Sequence, residues 1–415
     1  MPATMPSTPT SVLLGTPLWG RNGGVAAHVM ATAALLAEHG VRVSVMAPRI
    51  DRDEQVPGVE LHHCPQLFHQ DAAIATRLAG ALASAPDVVH LHQLDDPEIV
   101  AALREHAPVV VSAHAYTACT SGLRYFRPGH ECERPHGPGC ALNLTARNCA
   151  HIRDPRPLPA SYRAASRGLA ALRGADLAVA YSSAVERHLA NNGVERRAVV
   201  PLFTTLAPRT GSGHATRRRV VFAGRIVRPK GLDVLLRAMR PVDDAELVVC
   251  GEGFQLDAAR RLAQRLGIRQ RVDFRGWLAA EPLAQELADA SVVAVPSLWP
   301  EPFGLVGIEA LAAGRPVVAS AAGGVRDWLR HGVNGLLVRP GHVRELADAL
   351  QELLADPARQ SAMGEAGRAL VAARFSPTRH VEAMLDGYHV ARRHWQTGNA
   401  AGSLRPPRQP QPARL

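Results

Sequence analysis

The sequence predicts an α/β protein built from two Rossmann-like domains that face each other across a cleft. Two stretches, beginning near residues 11 and 219, each open a series of short apolar runs separated by helix-length segments. That alternation is the pattern of parallel strands joined by crossover helices. The runs are rich in Val and Ala and nearly continuous in their apolar character, as strands buried on both faces are. Between the two series, residues 199–216 turn to Thr, Gly, Ser and His, the most linker-like segment of the chain. These signals place a first domain at 11–200 with an insertion at 115–160, and a second domain at 201–375. A last helix is expected at 376–396, with disordered termini at 1–10 and 397–415.

Composition narrows the class of protein. A chain of 415 residues with 47% hydrophobic content can bury two sizeable cores. No apolar run reaches the roughly 18 residues that a membrane span needs, and the N-terminus lacks the charged and apolar parts of a signal peptide, so a cytoplasmic protein is expected. A formal charge of +10 admits nucleic acid, an anionic membrane surface or anionic substrates. The basic residues are interspersed with acidic ones and aromatics make up only 4%, which argues against a stacking platform for nucleic acid. Peripheral contact with an anionic membrane stays open. Of 47 Lys plus Arg residues, Lys230 is the only lysine. A chain that writes its other cations as arginine has kept one compact ammonium, suited to act as a point charge on phosphate.

In the first series, residues 11–14 form a strand, a loop holds Gly20, Gly23 and Gly24, a helix runs from about 25 to 39, and 41–47 is the next strand. The glycines lack the G-x-G-x-x-G spacing of a dinucleotide site, so hydride chemistry has little support, and a plain tight turn explains them as well. Asp51 and Asp53 form an Asp-x-Asp pair in a polar stretch after a strand. They read as a solvated loop, because the second half offers metal-free cations for phosphate. Strands at 87–91 and 108–112 end in His90 and His92 and in His114, at a sheet edge expected to face the cleft. For His90 and His92, packing or a loop hydrogen bond is the simpler reading.

The insertion carries Cys119, Cys132, Cys140 and Cys149 at gaps of 13, 8 and 9 residues, with His130, His136 and many Gly and Pro. These gaps lack the paired C-x2-C of common zinc modules. Four thiolates can still wrap a tetrahedral zinc or similar metal, or remain reduced and bind nothing. Disulfides are disfavoured in a cytosolic protein. Cys64 and Cys250 read as small hydrophobes. An arginine-bearing amphipathic helix at 162–172 presents a solvated face or touches a membrane, and the first reading is preferred.

In the second series, a strand at 219–222 leads into Gly224-Arg225-Ile-Val-Arg-Pro-Lys230-Gly231 and then a helix, where Arg225 and Lys230 can both reach one diphosphate. Further strands are expected at 247–250, followed by Gly251-Glu-Gly253, and at 272–278. Residues 292–295 form a buried strand, 296–300 a loop, and a helix with Leu305, Ile308 and Leu311 on one face is expected from Pro302 to Gly314. Its N-terminus opens at the carboxyl edge of the sheet and favours an anion. Glu301 precedes that helix and Glu309 lies eight residues on, a rise of ~12 Å that returns to nearly the same face. The pair can hold hydroxyls of two sugars joined through a diphosphate, or be a loop charge and a solvated helix residue.

The segments Pro-Ser-Leu-Trp-Pro-Glu301-Pro-Phe-Gly-Leu and Glu309-Ala-Leu-Ala-Ala-Gly-Arg-Pro-Val-Val-Ala, with Gly-Arg-x4-Lys-Gly upstream, resemble the Glu-x7-Glu donor site of retaining glycosyltransferases of family 4. The resemblance covers about residues 11–395 and is tighter in the second half. It implies the GT-B fold, a nucleotide-sugar donor in the second domain, and a glycan, glycolipid or small-molecule acceptor in the first. No cofactor or catalytic metal is implied. Retention would come from same-face attack assisted by the leaving phosphate. It further implies that Glu301 meets hydroxyls of the transferred sugar, that Glu309 meets the ribose, and that N–H groups of Phe303, Gly304 and Leu305 meet sugar and phosphate oxygens. Arg225 and Lys230 would neutralise the diphosphate, and the backbone at Gly23 and Gly24 would approach the donor phosphate or acceptor. His114 matches a functional histidine that the family usually writes as His-Asp. Ala115 stands in the aspartate's place here, and Pro201-Leu-Phe stands where Pro-Asn-Gly is usual. Cell-surface glycan or glycolipid synthesis is the expected role. Alternatives are glycosylation of a secondary metabolite, an epimerase or phosphorylase of the same fold, and a non-enzymatic basic binding protein.

Overall fold

A computed structural model describes residues 9–402, apart from 21–22, 52, 66, 68–77, 79–84, 94–95, 148, 150–155, 157, 205 and 207–217. The linker-like stretch at 207–217 and the outermost termini therefore lie outside the described residues. Two parallel sheets organise the rest. The first contains β1 (Ser11–Gly15), β2 (Arg42–Ala47), β3 (Val59–His63), β4 (Val88–His92), β5 (Val109–Ala113), β8 (Leu177–Ala180) and β9 (Arg197–Val199), in the order β3-β2-β1-β4-β5-β8-β9. The second contains β10 (Arg219–Ala223), β11 (Glu246–Cys250), β12 (Val272–Gly276), β13 (Val292–Val295), β14 (Val317–Ser320) and β15 (Gly335–Val338), in the order β12-β11-β10-β13-β14-β15. Helices cover both faces, which is why central strands such as β4, β5 and β13 are buried along their whole length.

Each sheet reverses its strand order once, between β1 and β4 and between β10 and β13. At such a point the chains leaving two neighbouring strands diverge and open a crevice at the carboxyl edge, the usual place for a ligand in an open α/β sheet. The segments singled out in the sequence fall at these points: Gly23 and Gly24 follow β1, Lys230 follows β10, and Glu301 follows β13.

The helix Pro377–Gly402 leaves the second domain and packs on the first. Val381, Met384, Tyr388 and Ala391, spaced along one face, are fully buried. Tyr388 OH lies 2.9 Å from His90 Nδ1, and Trp395 Nε1 donates to Arg104 O at 2.7 Å. The helix runs to Gly402, beyond the 396 that composition suggested, because a polar, Gly-containing sequence continues a turn already nucleated by packing. The helix expected from Pro302 begins instead at Leu305: Gly304 occupies the N-cap with φ 93° and ψ 61°, a conformation open to glycine, and Pro302 stays in the loop. In Leu158–Gly174, Arg167 pairs with Asp96 at 2.9 Å and Arg173 donates to Asn192 O, so these cations serve the fold. No described helix is long and apolar enough to cross a membrane.

Candidate active site

Lys230 sits in a short 3-10 turn, Arg228–Lys230, that β10 feeds directly. Gly231 follows with φ 70°, and a Cβ there would fall 2.0 Å from Pro296 O. Only glycine lets the loop after β10 press against the loop after β13, and Leu298 N–H donates to Pro229 O at 2.8 Å across the same seam. This contact brings Lys230 Nζ to 2.8 Å from Glu301 Oε1. Ser297 Oγ and Trp299 Nε1 donate to the same oxygen at 2.5 and 3.1 Å. Burial alone raises the Glu301 carboxyl, yet the Lys230 charge and these donors outweigh it and hold the group below its ordinary value. Glu301 is thus a fixed anion at 2% exposure.

Glu309 lies half-buried on the helix Leu305–Ala312, and its side-chain carboxylate accepts no hydrogen bond among the described residues. Burial pushes its carboxyl up to about 7. A carboxylate held short of partners at a crevice has acceptor capacity to offer a ligand's hydroxyls. No side chain caps this helix. The N–H groups of Phe303, Gly304 and Leu305 find no acceptor among the described residues, leaving a positive helix end. The end is braced from behind: Trp328 Nε1 donates to Phe303 O at 2.7 Å, and its ring packs where a Cβ on Gly307 would stand. Arg225 is exposed on the Lys230 loop, its guanidinium unpaired among the described residues. Lys230 and Glu301 thus meet at the second switch point, with Arg225 on the loop that leaves β10 and Glu309 on the helix that follows Glu301.

Across the cleft, Gly23 (φ 107°) caps the helix Gly24–Glu38, with open space where a Cβ would stand on either glycine and no side-chain cap. His114 Nε2 lies 3.0 Å from His92 Nδ1, and His28, His92, His114 and His380 form a ring cluster with Tyr181 and Phe203. Burial, with repulsion from His380, pushes His114 down to about 3, so it is a neutral imidazole at pH 7. His90 does not face the cleft. It lies in the core between Ser112 Oγ and Tyr388 OH, since the last helix covers that end of β4. Phe203, where the family usually writes Pro-Asn-Gly, packs on His28 and His380, and Pro201 O accepts from His380 Nδ1 at 2.8 Å. Two residues past His114, Tyr116 OH donates to Glu301 O at 3.4 Å, linking the two halves of the site.

Comparison with known proteins bears on this geometry. Residues 22–204 match the family model described as Glycosyltransferase Family 4, and residues 209–370 match Glycosyl transferases group 1. D-inositol 3-phosphate glycosyltransferase 1 of Catenulispora acidiphila is 31% identical over 91% of this chain and 93% of its own. The chain belongs to glycosyltransferase family 4. Other similarities are local: a GDP-mannose-dependent phosphatidylinositol monomannoside mannosyltransferase of Mycobacterium tuberculosis is 40% identical over 169 residues, 44% of its length. An uncharacterized glycosyltransferase of Methanocaldococcus jannaschii is 37% identical over 142 residues, so the match spans about a third of that protein, 36%. Among solved structures, sucrose-phosphate synthase of Thermosynechococcus elongatus superposes with a TM-score of 0.68 over 95% of this chain and 99% of that one, at 24% identity. HepE of Anabaena, crystallised with UDP and glucose, superposes with a TM-score of 0.66 over 95% of this chain and all of that one, at 21% identity. These likenesses establish the GT-B fold.

Within this family 4 chain, several contacts escaped the sequence. Ser297 and Trp299 lie inside the motif that singled out Glu301, and their donor groups were the available signal. Asp327 gave none. It accepts from Ser183 N at 2.7 Å and Ser183 Oγ at 2.5 Å, joining the second domain to a helix start in the first. Asp51 accepts from the Asp53 N–H at 3.3 Å in a local turn beside Gly20. Cys119, Cys132, Cys140 and Cys149 all line one cavity in the insertion.

Proposed function

We propose that this chain transfers a hexose-type sugar from a nucleoside diphosphate to an acceptor hydroxyl, with retention at the anomeric carbon and without a catalytic metal. The observation that carries the proposal is the Lys230–Glu301 contact at the second switch point, with Arg225 on the same loop and an uncapped helix N-terminus beside it. One N–H of the Lys230 ammonium goes to Glu301, and two remain for diphosphate oxygens. When the bond from the anomeric carbon to the diphosphate breaks, negative charge grows on the departing oxygen. Lys230, Arg225 and the helix N–H groups bind that charge more strongly in the transition state than in the ground state.

Glu301 is pinned through Oε1, which leaves Oε2 to accept from a hydroxyl of the transferred sugar. Glu309 accepts from the ribose. The acceptor oxygen forms its bond on the face from which the diphosphate leaves, and its proton passes to the departing phosphate. His114, uncharged, offers a hydrogen bond to the sugar rather than a cation. The similarity to an inositol 3-phosphate glycosyltransferase and a phosphatidylinositol monomannoside mannosyltransferase supports a polyol, glycan or glycolipid acceptor in surface-glycan synthesis.

Nuclear magnetic resonance of the product tests the proposal, with a chelator present throughout. The expected product keeps the donor's anomeric configuration and forms at an unchanged rate. An inverted product, or activity abolished by the chelator and restored by a divalent cation, overturns it. Epimer or sugar phosphate formed from donor alone would favour an epimerase or phosphorylase.

A further inference from the structure

We infer that Cys119, Cys132, Cys140 and Cys149 bind one zinc ion, which clips the insertion into the wall of the cleft. The four residues come from four separate pieces of chain. Cys119 lies in the turn after β5, where its N–H donates to Tyr116 O at 2.8 Å. Cys132 directly follows a two-stranded hairpin, β6 (Tyr125–Arg127) and β7 (His130–Glu131), and its N–H donates to Arg124 O at 2.8 Å. Cys140 is in the first turn of the helix Pro138–Ala146. Cys149 lies just past that helix, its N–H donating to Asn143 O at 3.4 Å. Convergence of four thiols from a segment with so little regular structure has no apolar explanation.

All four thiols border one cavity of about 60 Å³ and none is in a disulfide. As placed, no three His, Cys, Asp or Glu side chains among the described residues stand at metal-holding spacing. Binding would therefore draw the four sulfurs inward through changes of side-chain rotamer, to the ~2.3 Å of a zinc–sulfur bond.

The surroundings suit an anionic metal–thiolate centre. A zinc ion with four thiolates carries a net charge of −2, and two arginines border the cavity. Arg124 is 4% exposed, held by bonds from Nε to Cys132 O at 2.8 Å and from NH1 to Ala184 O at 3.1 Å. Ser121 Oγ lies 3.4 Å from the Cys119 sulfur, and hydrogen bonds to a ligand sulfur tune and orient metal sites.

The insertion also needs a clip. Leu142 is 68% exposed, and Tyr125 packs in the second domain's core, not its own. A segment too small for its own core gains stability from a metal. Its contacts reach the donor side: Glu131 Oε1 accepts from Gly323 N at 3.0 Å, and Tyr116 OH meets Glu301 O.

Metal content by mass spectrometry, with zinc release followed during titration by an organomercurial, tests the site on the full chain. The expected result is about one zinc per chain, freed as four thiols react. Cys140→Ser and Cys149→Ser should each lower bound zinc at least tenfold, while Cys64→Ser and Cys250→Ser retain it. Zinc removal should also speed tryptic cleavage after Arg124 and Arg147 while the second domain stays folded. A wild-type chain that binds no zinc when offered an equivalent, that carries iron and sulfide instead, or whose four cysteines are recovered as disulfides would overturn the inference. An unchanged tryptic pattern on zinc removal would overturn the clip.

Discussion

Lys230 and Glu301 are 71 residues apart in sequence and 2.8 Å apart in space, joined where β10 and β13 part company. The ammonium is 23% exposed and the carboxylate 3%, so one partner faces the crevice while the other anchors it. Replacing Lys230 with Ala should lower kcat on the order of 10²–10³, the loss typical of removing one donor from a developing oxyanion. The variant should stay folded, because Ser297 and Trp299 still satisfy Glu301. Steady-state kinetics at saturating donor, with circular dichroism as the control, decide the point. Near-normal turnover would remove Lys230 from the mechanism.

Gly231 separates geometry from charge. Its φ of 70° and the 2.0 Å approach of Pro296 O leave no room for a methyl group. Gly231→Ala should cost about 1–3 kcal/mol of stability through overpacking and reduce activity at least as much as Lys230→Ala, since the two loops must part. Urea denaturation and kinetics on the same preparation check both. Unchanged stability would mean that the loops slide freely.

Glu309 makes donor binding depend on pH. Burial lifts its carboxyl to about 7, and only the ionised form accepts from ribose hydroxyls at both oxygens. A proton therefore competes with the ligand: affinity should be flat above pH 8 and fall about tenfold per pH unit well below 7. Glu309→Gln should bind more weakly at pH 8 and lose the pH dependence. Calorimetric titration between pH 6 and 8.5 measures both, and a wild-type Kd independent of pH would dismiss the ribose assignment.

Asp327 and Ser183 tie the two domains together through two hydrogen bonds at the N-terminus of the helix Ser183–Asn191. A double-mutant cycle with Asp327→Asn and Ser183→Ala should return a coupling energy of about 1–2 kcal/mol in stability. The single variants should raise KM for both substrates more than they lower kcat. Strict additivity would show that the contact carries no energy.

The second half of the site was legible because its chemistry is written locally. Lys230 was conspicuous as the sole lysine, and Glu301 and Glu309 sit within one short motif whose strand and helix follow from its own apolar pattern. The sheets were legible too, since buried parallel strands read as continuous apolar runs. What escaped depends on contacts between distant segments. His28 and His380 lie on different helices and meet only because the last helix returns to the first domain. The same return buries His90 beside Tyr388, in keeping with the packing reading of that histidine. Asp327 and Glu131 find their partners only in the other domain, which no local pattern around them announces. The helix start at Leu305 was misread because Pro302 suits a first helical position, and only the backbone angles of Gly304 exclude it.

A thermal-shift panel tests the central claim most directly. Wild type, Lys230→Ala and Glu309→Gln are heated with UDP-, GDP-, ADP- and TDP-sugars, each of which raises the apparent Tm only if it binds the native state. The account predicts that sugars of one base stabilise wild type and that both variants lose most of that shift. A wild-type chain stabilised by none of them, or variants shifted as far as wild type, would contradict it.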